Sequence, residues 1–223
     1  MSTPAQWILA SDGIDHPITG AGMLLLGNAP RINVIAHSLA QINRFTGLAA
    51  RPYSVAEHSL LVCDIVRRAG LGPSAQMLAL LHDAHEAFVG DVASPVKWAL
   101  GTAWSHLESP HALQVRHAFG LRAVHADHCR CIKAADLRAL ATERRDLMRF
   151  DPAVNLHWPI LDTPGREVRP VDSEDLNSCV RTLKTWRHWR DAFLERFVQL
   201  NAARAAQGGV PLIPTETAAS ITT

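Results

Sequence analysis

The stretch SAQMLALLHDAHEAF, residues 74–88, constrains the fold more than any other part of the chain. Its first half is an apolar run without strand alternation, the composition of a buried helix. It passes directly into His82, Asp83, His85 and Glu86. Ionisable groups carried into a core are costly unless they are paired or bound to a metal. Neighbouring elements must therefore bring partners to this place. The helix is predicted to run from Pro73 to a stop near Gly90, with SPVKWAL, residues 94–100, as a short helical turn beyond it.

The rest of the sequence reads as helix too. NVIAHSLAQINRF sets Ile35, Leu39, Ile42 and Phe45 three or four apart, an apolar stripe of helical period. In the next helix Ser54 and Glu57 have the spacing of a capping box, and Arg67 and Arg68 suit the negative end of its dipole before Gly70. A helix broken at Pro110 leads to Gly120, and a long one spans Asp127 to Met148. A polar connection covers 151–171, and a last helix runs from Ser173 to Ala206 with Trp186, Trp189, Phe193 and Phe197 along one stripe. The Gly- and Pro-rich start contains WILA and GMLLLG, short apolar pieces expected to form a small hairpin. The predicted class is all-α, divided into an N-terminal extension (1–31) packed on the domain, a main domain (32–206) and a flexible tail (207–223).

Composition narrows the setting. With 48% apolar and 19% charged residues and a net charge of +1, nothing favours a polyanion surface, so no nucleic-acid polymer is expected. Cys63, Cys129, Cys131 and Cys179 are too few and scattered for a disulfide framework. The N-terminus lacks the form of a secretion signal, and no apolar run reaches the roughly 18 residues of a membrane span. A soluble cytoplasmic protein is the expectation.

On a continuous helix turning about 100° per residue, Glu86 lies about 40° from His82, Asp83 about 100°, and His85 about 60° the other way. His82, Asp83 and Glu86 could share a face, and so could His85, His82 and Glu86. Spacing leaves the two sets tied. The HExxH and HxxEH zinc-protease patterns are both absent here. His58, one turn after the capping box, and Asp136, in KAADLRAL, stand on other helices among apolar residues. Together with His82 and Asp83 they form a mixed N/O set suited to one divalent ion: manganese, iron, cobalt or zinc.

That order, His, then His-Asp, then Asp, resembles the HD-domain metal-dependent phosphohydrolases. It is most similar to the branch of bacterial 5′-deoxynucleotidases and phage deoxynucleotide triphosphohydrolases. INRF (42–45), SVAEHS (54–59), LLHDAHEAFVGDVASPVK (80–97) and KAAD (133–136) occur in the family's order, over about residues 32–150. The resemblance implies an HD-type helical bundle in which His58, His82, Asp83 and Asp136 hold the metal. It implies that Glu86 orients or deprotonates water or passes a proton, that Arg44 binds phosphate, and that Asp91 lies near the sugar and matters for activity. Lys97 and Lys133 match basic positions that contact phosphates in triphosphate-cleaving relatives. The residue after the arginine is often Trp in the deoxynucleotidases, where its bulk disfavours a ribose 2′-hydroxyl. Here it is Phe45, a smaller ring without an N–H.

The reaction so implied is release of phosphate from (deoxy)nucleoside 5′-monophosphates. The alternative is hydrolysis of a dNTP to nucleoside and tripolyphosphate, and a nucleotide sensor with little turnover is the reading from another class. The resemblance also implies a homodimer. Two further features read as structural: HADHCRC (125–131) lacks paired zinc-ligand spacing, and ERRD (143–146) suggests ion pairs between helices.

Overall fold

The computed structural model describes residues 6–19 and 29–208, and helices carry most of them. The chain enters through a hairpin of β1 (Trp7–Leu9) and β2 (Asp15–Pro17), antiparallel with Ile8 opposite His16. Its second strand is DHP; GMLLLG lies outside the described residues, as does the tail from 209. His16 is buried and stacks on Phe88, ring centroids 3.7 Å apart, which fastens the hairpin to the main body.

The core is built by α2 (Val55–Arg68), α3 (Pro73–Leu80), α7 (Arg122–Leu147) and α10 (Trp186–Ala206), all mutually packed except that α7 and α10 meet through the other two. α1 (Ile32–Leu39) covers α10 and α4 (Glu86–Val89), while α5 (Ser94–Leu100) and α6 (Thr102–Ala118) form the flank beside α7. Leu39, Val62, Met77, Leu80 and Phe193 are fully buried, each contributing about 1.5–3 kcal/mol of apolar burial. Trp189, Phe193 and Phe197 of the aromatic stripe belong to this core.

Four boundaries differ from the periodicity, each for a local reason. α1 stops at Leu39 because the next residues are spent on cross-chain pairing. Arg44 N–H donates to Tyr53 O (2.8 Å) and Val55 N–H to Ile42 O (3.0 Å), so Ile42 and Phe45 leave the stripe. α7 begins five residues before the expected Asp127, with fully buried Leu121 just ahead of it. α10 starts at Trp186, not Ser173. The intervening chain is a strap: Val171 N–H donates to Thr142 Oγ1, Leu176 N–H to Asp146 Oδ2, and Leu176 O accepts from Arg51. Backbone groups used this way cannot close helical turns; two short helices, α8 (Pro159–Asp162) and α9 (Cys179–Thr182), lie along the connection. α6 runs unbroken through Pro110, its lost hydrogen bond offset by burial of Trp104, His111 and Val115.

The capping box is half made. Ser54 Oγ accepts from Glu57 N–H (3.2 Å), but the buried Glu57 carboxylate turns away to a fork with Arg51 (2.7 and 2.8 Å) and to Arg181 (2.9 Å).

Candidate metal centre

α3 ends where the ionisable residues begin, which corrects the continuous helix expected from Pro73 to Gly90. His82 Nδ1 lies 2.8 Å from the Ala79 carbonyl and donates to it. In an uninterrupted helix that carbonyl would accept from Asp83 N–H. The side chain takes the place of a helical bond, and the chain tightens: Ala84 bonds to Leu81, Glu86 to Asp83 and Phe88 to His85, all i to i−3. With about three residues per turn the groups sort into adjacent pairs. His82 and Asp83 enter one cluster and His85 and Glu86 a second, so neither three-residue face of the ideal helix describes the arrangement.

In the first cluster ligand atoms of His58, His82 and Asp83 converge, and Asp136 approaches the two histidines. His58 Nε2 is 3.3 Å from His82 Nε2, 3.6 Å from Asp83 Oδ2 and 3.3 Å from Asp136 Oδ1. His82 Nε2 is 3.1 Å from Asp83 Oδ2 and 3.9 Å from Asp136 Oδ1. Atoms bound at about 2.1 Å to one ion stand about 3.0 Å apart at right angles and about 3.4 Å apart at the tetrahedral angle. The spacing of His58, His82 and Asp83 fits a divalent cation, and Asp136 offers a further oxygen 3.3 Å from His58 Nε2. Nδ1 is committed on both imidazoles, His82 to Ala79 O and His58 to Glu143 Oε1 at 2.5 Å, so Nε2 is the nitrogen each would offer an ion on losing its proton.

Glu143 is the residue that sequence reasoning passed over. It is fully buried two turns after Asp136 on α7, bridging His58 and Arg44 Nη2 (3.3 Å). The signal was its position seven residues from Asp136, which places both on one helical face; within ERRD it read as a packing charge. Arg144 and Arg145 do pair structurally, with Asp162 and Asp146. Arg44 also faces Asp83 (3.7 Å). It opens a 3₁₀ turn in which Phe45 and Thr46 adopt left-handed φ of 56° and 54°. Such backbone costs about 1–3 kcal/mol per residue. It sets Phe45 beside Arg44 and 6.5 Å from Trp158, forming an aromatic shelf at the cluster's edge.

Charge follows this geometry. For His58, burial and Arg44 act downward, but Glu143 and Asp136 outweigh them and hold its pKa at about 9. Asp83, although buried, is drawn well below the usual carboxylate range by His82, His58 and Arg44. Asp136 is lowered against its own burial by bonding to His58 and the charge of His82. A cluster that holds a proton so firmly is one that would favour a cation in its place.

The second cluster contains His85, Glu86 and Glu108, with Lys97 among them. Lys97 Nζ is 2.5 Å from Glu108 and 3.6 Å from Glu86, so an ammonium already supplies positive charge there. Burial, then Asp83 and Asp91, push the Glu86 carboxyl well above its ordinary value. Asp91 is raised by burial and by Asp83, against the pull of Arg44. His85 is buried against Glu108 (3.4 Å).

Lys133 is exposed and pairs with Asp136 Oδ2 at 2.8 Å. Among the described residues His125, His128, Cys129 and Cys131 form no ligand group. His37 packs edge-on against Trp186. No described helix is long and apolar enough to cross a membrane.

Over 144 residues the chain is 40% identical to an uncharacterized protein of Rhodobacter capsulatus, covering 61% of this chain and 74% of that relative. It is 37% identical over 131 residues to YfdR, an uncharacterized protein of Escherichia coli K12, covering 59% of this chain and 67% of YfdR. The chain belongs to the family of these two proteins. No family model matches it. For the YfdR family this structure supplies a mostly helical fold and a partly buried His/Asp cluster compatible with a metal ion.

Proposed function

We propose that the protein is a metal-dependent nucleotide phosphohydrolase of the HD-domain type, acting on (deoxy)nucleoside 5′-monophosphates. The observation that carries this reading is the convergence of His58, His82 and Asp83 within 3.1–3.6 Å, with Asp136 Oδ1 3.3 Å and 3.9 Å from the two histidines and Arg44 and Glu86 beside them. A divalent ion held by these groups supplies Lewis-acid charge at a phosphoryl group and makes nearby water acidic enough to attack at neutral pH. Arg44 adds a fixed guanidinium at the same place, suited to phosphate oxygens. Glu86, with its raised affinity for a proton, stores one near the leaving 5′-oxygen, and Lys97 keeps that carboxyl oriented. The Phe45–Trp158 shelf offers an apolar surface to the nucleoside.

The test is product analysis on a panel of deoxynucleoside and ribonucleoside monophosphates with Mn²⁺ or Co²⁺. Orthophosphate release above a His82→Ala control supports the reading; none over hours sinks it, and tight binding without product would make the protein a sensor. The second reading, release of tripolyphosphate from a dNTP, is favoured by Lys133 on the rim of the cluster.

A further inference from the structure

The two carboxylate oxygens of Glu86 are in unlike surroundings. Oε1 faces Lys97 Nζ at 3.6 Å, whereas Oε2 is buried and bonds to no group among the described residues. The ammonium therefore engages one oxygen and leaves the other for proton exchange. Where the ammonium stands decides which way the carboxyl turns. A lysine is a point charge on a flexible stem and does not hold a position by itself.

The hold comes from α6. Glu108 Oε1 accepts from Lys97 Nζ at 2.5 Å, and Trp104 sets its buried ring 5.5 Å from the same nitrogen. Trp104 and Glu108 are four residues apart and so share one helical face. Gly101 makes the turn between α5 and α6 at φ 57° and ψ −131°, a conformation open chiefly to glycine. The same Glu108 Oε1 lies 3.4 Å from Nε2 of His85, the residue before Glu86. One oxygen on α6 thus holds both neighbours of Glu86: the lysine at its carboxylate and the histidine beside it in the chain.

Burial would raise the Glu108 carboxyl, but bonding to His85 and to Lys97 outweighs it and holds the pKa at about 2. An exposed lysine–glutamate pair contributes little. This one is half-buried, and its lysine also meets a buried carboxylate. His85, Glu86 and Glu108 have the spacing of a metal-ligand group as well, but the Lys97 ammonium, near two of their carboxylates, takes a cation's place there.

We propose that Glu108 is a positioning residue for Glu86: it fixes Lys97 and His85 so that the Glu86 carboxyl presents Oε2 for proton transfer. This deepens the phosphohydrolase reading and rests on it for the reaction.

The test is steady-state phosphate release from deoxynucleoside monophosphates by the full, Mn²⁺-loaded chain, comparing wild type with Glu108→Gln, Glu108→Asp, Lys97→Met and the double variant Lys97→Met/Glu108→Gln. Glu108→Gln should lower kcat about ten- to hundredfold, the loss expected when a proton-transfer group is misplaced, with KM within about twofold. Glu108→Asp keeps the anion and should recover part of kcat. The double variant should lose no more than Lys97→Met alone, because both residues act through one contact. Acetic anhydride labelling of the metal-free chain, read by mass spectrometry, follows the same contact without turnover: Lys97 should react at least about threefold faster in Glu108→Gln once its charge-assisted bond is gone. Cooperative thermal unfolding and retained Mn²⁺ affinity show each variant to be folded. A kcat in Glu108→Gln within about twofold of wild type, a loss confined to KM, or equal labelling of Lys97 overturns the role. So does a Mn²⁺ equivalent bound by wild type and lost in Glu108→Gln, since the cluster would then hold a metal. Absence of hydrolysis by wild type refutes the phosphohydrolase reading and this role with it; an active wild type with an undiminished Glu108→Gln refutes this role alone.

Discussion

Replacing Glu143 by Gln isolates the residue that joins the His/Asp cluster to Arg44, the arginine proposed to bind phosphate. The substitution keeps shape but removes the charge from a fully buried carboxylate bonded to His58 and Arg44. Partners behind a metal-ligating histidine typically contribute about 10–100-fold in metal affinity, or about 1.4–2.7 kcal/mol. Stripping one partner from the buried Arg44 should cost stability near the lower end of about 3–5 kcal/mol, since the amide still accepts one bond. Proton linkage adds a signature. His58 has a folded pKa of about 9, above its unfolded 6.5, so its ion-pair contribution to the metal-free protein is present below pH 6.5 and is lost as pH rises through about 9. Metal binding requires the neutral ring, so wild-type affinity at pH 6.5 should lie about 300-fold below its alkaline limit and climb about tenfold per pH unit. In Glu143→Gln the proton is held less firmly: the pH slope flattens and the alkaline limit drops 10–100-fold. Calorimetric Mn²⁺ titrations from pH 6 to 9.5 measure both. Equal affinity and an equal slope in the two proteins would refute the role assigned to Glu143.

Glu86→Gln should abolish phosphate release while Mn²⁺ binding stays within about threefold. Because folded Glu86 holds its proton above the unfolded pKa of 4.5, wild type loses stability as pH rises past that value; metal-free Glu86→Gln should therefore melt increasingly above wild type from pH 5 to 8, and a constant gap would count against the raised pKa. Arg51→Ala leaves Glu57 buried with Arg181 alone and should destabilise by about 3–5 kcal/mol in urea unfolding; a loss under 1 kcal/mol would mean the network is solvated. Thr46→Gly, at an exposed left-handed residue, should stabilise by roughly 0.5–1 kcal/mol as strain is relieved. Destabilisation there would show that the turn holds its shape for other reasons.

Residue chemistry and local period were legible in the sequence wherever a signal is short-range. Apolar steps of three and four announced α1 and the core face of α10, and a capping pattern announced α2. The placement of His82 and Asp83 directly after MLALL announced buried charge that needed partners, and His58 and Asp136 were readable as those partners only through a likeness in motif order. Other decisions depended on groups distant in sequence. Whether α3 continued past Leu80 was settled by His82 competing for the Ala79 carbonyl once its Nε2 was drawn toward His58, 24 residues away. The Glu57 carboxylate left its local cap because Arg51 and Arg181 offered a buried fork, and residues 171–176 stayed unwound because Thr142, Asp146 and Arg51 claimed their backbone groups. Glu143 read as a helix-packing ion pair; only the packing of α2 on α7 shut water out and made His58 and Arg44 its partners. Periodicity encodes which face of a helix is buried. Which polar groups meet inside depends on how those faces are brought together, and in a low-dielectric interior that meeting decides tautomer, charge and affinity for a cation.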